Sequence, residues 1–163
     1  MDKKVALYCD EGVSASALEH LRKSLLREGV QNIRLVSRLD LKKDNWKKDT
    51  FLLIVPGGRD VPYHKALKGE PNKNIRSFVE EGGRYLGLCA GAYYGSAGIE
   101  FEKGTALEIV ESRELCFFPG VARGPAYGNH QFCYRSSRGA RVAHLLLADS
   151  VSAAFFNGGP AFI

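Results

Sequence analysis

Hydrophobic positions fall into two regimes along the chain. In the first hundred residues, short unbroken apolar runs alternate with stretches of helical spacing; after Ala106 only short β-like runs remain. Val5 to Cys9 (VALYC) is the first run, with the length and composition of a buried strand, and it ends at Asp10-Glu11-Gly12. Leu18, Leu21, Leu25 and Leu26 then recur along one helix face. Ser16, with Glu19 three residues on, reads as a capping box at the start of this helix, and Gly29 as its stop. Ile33 to Ser37 predicts a second strand. Phe51 to Val55 (FLLIV) predicts a third, apolar throughout, as suits a parallel strand covered on both faces.

Pro56-Gly57-Gly58 closes this third strand, and a polar loop through Tyr63, His64 and Gly69 leads to a predicted helix carrying Ile75, Phe78 and Val79 and ending at Gly82-Gly83. The short strand RYLGLC follows and runs straight into AGAYYGSAG, whose small residues allow a sharp turn into a closely packed helix. Beyond Ala106 the runs LEIV, LCFF, FCYRSS, VAHLLL and SAAFF are separated by turn signals at Pro119-Gly120, Gly124-Pro125 and Ser137-Arg138-Gly139. They read as hairpins or an antiparallel extension of the sheet. No repeat, low-complexity segment or linker divides the chain, so the expectation is a single α/β domain over residues 1–163 with a mainly parallel sheet.

Composition adds little to this picture except in glycine. A length of 163 residues suits one domain. The 18 glycines make about 11% of the chain, against roughly 7% in ordinary proteins, and imply tight turns or close backbone approaches. The net charge of +5 does not by itself indicate a nucleic-acid partner. Lys42, Lys43, Lys47 and Lys48 alternate with Asp40, Asp44 and Asp49 around Trp46, which reads as a mixed, solvated connection. After Glu114, Arg123, Arg135, Arg138 and Arg141 oppose only Asp149; this locally basic third suits an anionic ligand or partner, or is a set of solvated arginines. No nucleic-acid-binding signature accompanies it.

The N-terminus lacks the apolar stretch of a signal peptide, and no segment approaches the roughly 18 apolar residues of a membrane span, so a soluble cytoplasmic chain is expected. Cys9, Cys89, Cys116 and Cys133 are widely spaced, which suggests reduced and mostly buried thiols rather than a metal site or a disulfide framework. No metal or other cofactor is implied.

Gly87-Leu88-Cys89-Ala90-Gly91 carries the candidate chemistry. This G-x-C-x-G pattern at a strand-to-helix turn is what a nucleophile elbow requires, with Cys89 as candidate nucleophile; a small residue buried in a glycine-rich turn would give the same pattern. A thiol there lies near the positive end of the following helix, which favours thiolate. Gly57-Gly58, at the end of the preceding strand, is placed to aim backbone amides into the same crevice. A backbone amide of that turn and the amide of Ala90 are therefore candidate oxyanion donors. Gly57, Arg59, Gly91 and Tyr93 are the candidate ligand-binding residues around the two turns; Tyr63 and Tyr94 either line the crevice or pack beneath it.

At these residues the chain resembles a known group. FLLIVPGG, then a helix, then GGRYLGLCAGAYYG is similar to the core of the class I glutamine amidotransferase-like superfamily. More narrowly, IVPGGRDVPYHKAL, RSFVEEGGRYLGLCAGAYYG, FFPGVARGPAY and FFNGGPAF resemble, in order, the N-terminal domain of eukaryotic-type biotin-protein ligases and its stand-alone bacterial relatives. The resemblance implies a flavodoxin-like three-layer α/β sandwich, a nucleophile position at Cys89 and oxyanion donors at Gly58 and Ala90. The ligase's adenylate-forming GRGRR-type loop does not occur in the sequence, so any link to a biotin-related pathway component would be regulatory or associative.

In the superfamily the cysteine works with an H-x-E pair on a late strand, and this sequence has none. His20, in the first helix, and His144, within VAHLLL, read as structural or solvated. His64, after the Pro-Gly-Gly turn, and His130, within GPAYGNHQF, are the candidates for an improvised base. Asn157, in FFNGGP, resembles a histidine substitute only superficially, because in the ligase-type family the H-x-E segment comes later. The apolar end Ala161-Phe162-Ile163 leads to the expectation of a domain shortened at its C-terminus. Two functions stay open: a module that binds a small molecule or a protein partner with weak or no turnover, and a thiol-dependent amidohydrolase or amidotransferase using Cys89. The sequence does not fix the oligomeric state.

Overall fold

Four parallel strands carry the N-terminal half. The structure is a computed structural model, which describes residues 4–127, 131–134 and 136–163. β1 (Lys4–Tyr8), β2 (Ile33–Val36), β3 (Thr50–Val55) and β4 (Arg84–Gly87) form one sheet in the order β2-β1-β3-β4. Side chains alternate across it, as strand geometry requires. Val5, Leu7 and Ile54 face α1 (Ala15–Arg27) through Leu18, Leu21 and Leu25. Ala6, Tyr8, Leu53 and Val55 face the opposite layer, which contains α2 (Arg38–Leu41), α3 (Asp60–Leu67) and α4 (Glu70–Glu80). This is the expected layered α/β core with helices on both faces.

Several local expectations shift. The cap of α1 is Ser14, whose hydroxyl accepts the Ala17 amide at 3.4 Å, while the Ser16 hydroxyl lies 3.0 Å from that of Ser14. The capping box falls instead at Ser37 and Asp40, ahead of α2. The charged connection around Trp46 is not wholly solvated. Lys42, Lys43 and Asp44 are exposed, but Trp46 is fully buried against Phe78 at a ring separation of 4.8 Å. The supposed polar loop after Gly58 is α3, whose Tyr63 and Leu67, four residues apart, both face the core. Pro62 disguises it, although a proline in the first helical turn removes no helical hydrogen bond.

After β4, the short α5 (Ala90–Tyr94) leads into β5 (Ser96–Phe101), β6 (Ile109–Ser112) and β7 (Phe118–Gly124). β8 (Arg141–Leu147) and β9 (Ser150–Phe156) pair only with each other, antiparallel, and β10 (Ala161–Phe162) joins the second sheet in the order β10-β7-β5-β6. The outer pairs of this sheet are antiparallel as expected, but β5 and β7 run parallel. LCFF lies mostly outside any strand, with Leu115 plugging the main core, and FCYRSS forms no strand among its described residues.

Arg113, which follows β6, joins the second sheet to α3. Its buried guanidinium donates through Nε to both oxygens of Asp60 at 3.2 and 3.0 Å, through Nη2 to Asp60 Oδ2, and through Nη1 to Glu111 at 2.8 Å. Burial pushes the Asp60 carboxyl up, and Arg113 opposes that shift. Arg123 has an acidic partner before Glu114: its Nε lies 2.9 Å from Glu100. Arg135 lies outside the described residues. Cys9, Cys89 and Cys133 are half-buried and Cys116 is exposed, so no cysteine is sealed in the core as expected, and no disulfide joins them. Among the described residues no group of three metal-ligating side chains occurs, and no helix is long and apolar enough to cross a membrane.

Tyr8, Tyr63 and Tyr94 cluster in the main core, where burial raises each phenol well above its ordinary value. The unfolded chain would therefore lose these protons first, and the slope of stability with pH turns negative above about pH 10. Thermal midpoints measured from pH 8 to 11 should fall steeply above that value. Phenolate absorbance from these residues should appear only together with the loss of ellipticity; ionisation ahead of unfolding would contradict the burial account.

Candidate active site

The register Val55↔Gly87 sets the ends of β3 and β4 side by side, and Leu88 continues the pairing by donating its amide to Val55 O at 3.0 Å. Cys89 comes next with φ 51° and ψ −106°, a non-glycine residue held at positive φ. Such a conformation costs on the order of 1–3 kcal/mol and persists only where its surroundings over-determine it. Here the surroundings are close contacts. A Cβ at Gly91 would lie 2.1 Å from Val55 O, and one at Gly87 would lie 2.3 Å from Gly91 O. Gly91 is thus consumed by packing, its carbonyl accepting the Tyr85 hydroxyl at 2.7 Å, and it does not line the cavities at Cys89.

The Pro-Gly-Gly turn is clamped from the other side by residues 12–14. Arg59 N donates to Gly12 O at 2.8 Å and Ser14 N to Gly57 O at 3.1 Å, while Val13 forms an isolated antiparallel bridge to Gly58. A Cβ at Gly58 would lie 2.0 Å from Gly12 O. Clamped this way, the Gly58 amide joins the Ala90 amide in reaching the Cys89 sulfur. Gly57 sits between Cys89 and α1: a Cβ there would be 3.5 Å from Cys89 Cβ and 3.6 Å from Ala17 Cβ.

Burial pushes the Cys89 thiol above its ordinary value, and the amides of Ala90 and Gly58 offset only part of that rise. The expectation of a favoured thiolate is therefore reversed, because α5 spans only 5 residues and desolvation outweighs its terminal amides. The S–H points to Asn157 O at 3.9 Å.

Cys89 lies between two spaces. Behind it is a small cavity of about 30 Å³, walled by Tyr93, Ile99, Phe101, Ile109, Phe132 and Tyr134, with Gly58, Ala90 and Asp60 also at its surface. In front is an open cleft of about 530 Å³ whose polar lining comes from Ser14, Ser16, His20, Ser136, Ser137 and Asn157. Tyr93 belongs to the inner wall, its hydroxyl donating to Gly158 O at 3.0 Å. Arg59 caps α3 and stacks 5.0 Å from the Tyr134 ring centroid, beside an adjoining groove. Tyr63 and Tyr94 are core residues.

The histidines are not arranged as the sequence suggested. His64 lies on α3 with a buried, unpartnered Nδ1 and lines neither space. His130 lies outside the described residues. His144 is exposed on β8. His20, which read as solvated or structural, is the imidazole that shares the cleft with Cys89 among the described residues. It follows Ala17 by three residues and so lies on the same face of α1. Asn157 also reaches the sulfur, through its main chain. Phe132 and Tyr134 were missed altogether; their period-two aromatic spacing around Cys133 was their only signal in the sequence.

Fold and turns together give an α/β architecture shared with glutamine amidotransferase-like proteins of known structure. A crystal structure of a glutamine amidotransferase superposes with a TM-score of 0.69 at 21% identity, covering 97% of this chain and 72% of that one. A peptidase from an acI-B1 actinobacterium gives 0.53 at 18% identity, covering 71% and 52%. More narrowly, the family described as "Biotin-protein ligase, N terminal" matches residues 3–163, and the chain belongs to it. An uncharacterized protein of Chlamydia muridarum is 40% identical, covering 96% of this chain, and the biotin–protein ligase of Schizosaccharomyces pombe is 38% identical, covering 98%. This chain spans 62% and 26% of the length of those two relatives.

Gly91→Ala should lower the thermal midpoint by roughly 3–10 °C, since overpacking against rigid backbone costs about 1–3 kcal/mol. Gly98→Ala is the comparison, because its Cβ would meet only a Val121 methyl, at 3.3 Å. Equal midpoints for the two variants would mean that the contact at Gly91 does not hold the turn.

Proposed function

We propose that this domain is a small-molecule-binding module centred on Cys89, in which chemistry at the sulfur is slow. The observation that carries this reading is the state of the thiol: burial raises its pKa, and its proton is directed to a main-chain carbonyl. Among the described residues no imidazole is hydrogen-bonded to it. A protonated thiol without a base in contact is a weak nucleophile, and the cleft in front of it is large enough for a metabolite-sized ligand. Kinship with the fission yeast ligase supports a role alongside biotin-dependent protein modification, with this domain acting by association rather than by joining biotin itself.

A second reading rests on a separate observation. The positive φ of Cys89, with Gly58 and Ala90 lining the same cavity and their amides favouring its anion, is the arrangement that hydrolysis or transfer of an amide through a thioester would use. In that case Cys89 is the nucleophile, and His20 is the group in the cleft able to take up its proton.

The rate of Cys89 alkylation by iodoacetamide, followed by peptide mass spectrometry from pH 6 to 10.5, separates the two. A raised pKa means less thiolate at pH 7, so labelling there should be slower than for a cysteine in an unfolded peptide and should still be rising above pH 9. Faster labelling at pH 7 than in the peptide, reduced by His20→Ala, would reverse the order of the two readings.

A further inference from the structure

We propose that the small cavity behind Cys89 is a pocket for a short aliphatic group, and that the ligand of this site is therefore a small acyl compound, a short-chain carbonyl joined to a polar leaving group. This rests on the reading that the ligand is held at Cys89.

The walls define the chemistry. Four aromatic rings form a box packed edge to face: Tyr93 against Phe101 at 5.6 Å, Phe101 against Phe132 at 5.2 Å, and Phe132 against Tyr134 at 4.9 Å between centroids. Ile99 and Ile109 complete it. The polar side chains at its surface are already engaged. Arg113 holds both oxygens of Asp60, the Tyr93 hydroxyl is bonded to Gly158 O, and the Arg59 guanidinium stacks over the Tyr134 ring from outside the box. Little remains in the wall to bind a charged or hydrogen-bonding group, and burying one without a partner would cost about 1–3 kcal/mol.

Size and direction narrow the class further. A volume of about 30 Å³ admits roughly two carbon-sized groups, given that 10–15 Å³ on this measure holds one water. Long side chains and polar side chains are both excluded. Gly58 and Ala90 line the box together with Cys89, and their amides favour negative charge at the sulfur, so an acyl carbonyl attached there would place its oxygen near them. The rest of the ligand then faces the outer cleft, whose serine hydroxyls, His20 and Asn157 suit a polar leaving group. With a thioester donor, the Cys89 sulfur bonds to the carbonyl carbon while the bond from that carbon to the leaving sulfur breaks. The thiol proton passes to the departing thiolate, giving acyl-Cys89 and a free thiol with no change in oxidation state.

The test uses the intact chain and a series of N-acetylcysteamine thioesters from acetyl through propionyl and butyryl to hexanoyl. Acylation of the Cys89 peptide is read by mass spectrometry against that of Cys116, which is exposed and has no box around it. The Cys89-to-Cys116 ratio should fall at least tenfold from propionyl to hexanoyl, and Phe132→Ala should move the optimum to longer chains. Ile109→Ala is a second enlarging variant should Phe132→Ala fail to fold. A ratio that is flat or rises with chain length in all three proteins would overturn the pocket. Alkyl methanethiosulfonates from methyl to hexyl isolate the fit from the acyl chemistry. Short-chain selectivity with these reagents, but no acylation by any thioester, would refute the acyl ligand while keeping an aliphatic pocket; loss of selectivity with both would refute the pocket itself.

Discussion

The site depends on how closely α5 approaches the end of β3. With no side chain at Gly91, the first turn of the helix rests on the Val55 carbonyl, and with none at Gly87 the strand can fold back under it. The turn between them has little choice of conformation, and Cys89 takes the positive φ that is left. The strain at Cys89 therefore follows from packing two glycines away. The same contact sets the Ala90 amide beside the sulfur, while the Gly12 to Ser14 clamp sets the Gly58 amide there from across the sheet end.

Placing the cysteine at this junction has an electrostatic cost. Burial raises the thiol pKa more than the two nearby amides lower it, so the residue best positioned to react is kept protonated. The asymmetry continues into the surroundings. The box is contributed by α5, β5, β6 and the segment around Phe132, whereas the serines, His20 and Asn157 of the cleft come from the start of α1, the loop at Ser136 and Ser137, and the residue after β9. Phe132 and Tyr134 line both spaces, so one short segment forms the partition beside the sulfur.

Much of this was legible in the order of residues because the signals were local. FLLIV and RYLGLC read as parallel strands, and the two glycine turns followed directly from Pro56-Gly57-Gly58 and Gly87 to Gly91. The elements that were missed, α3 and the burial of Trp46, depend on tertiary packing overriding a polar neighbourhood. His20 was misplaced for a different reason. It is solvent-exposed on a helix surface, and only the three-dimensional path of α1 past Gly57 brings that surface to the cleft. His64 is the converse case, close in sequence to the turn yet lining neither space because it lies on α3.

The buried pair that ties the second sheet to α3 has a consequence for the medium in which the domain works. Lys23 and Glu19 form an ion pair with side chains 60% and 64% exposed, the kind that mobile ions dissolve once the Debye length shrinks to a few ångströms. The Arg113 side chain is 0% exposed and its Asp60 partner 7%, so counter-ions cannot come between them. Ile99, Phe101 and Ile109 of the box stand on the sheet that this pair ties to α3. That side of the box is thus anchored by a contact that salt screens far less than the surface pairs, so the surface charge pattern fades in concentrated salt before this anchor does.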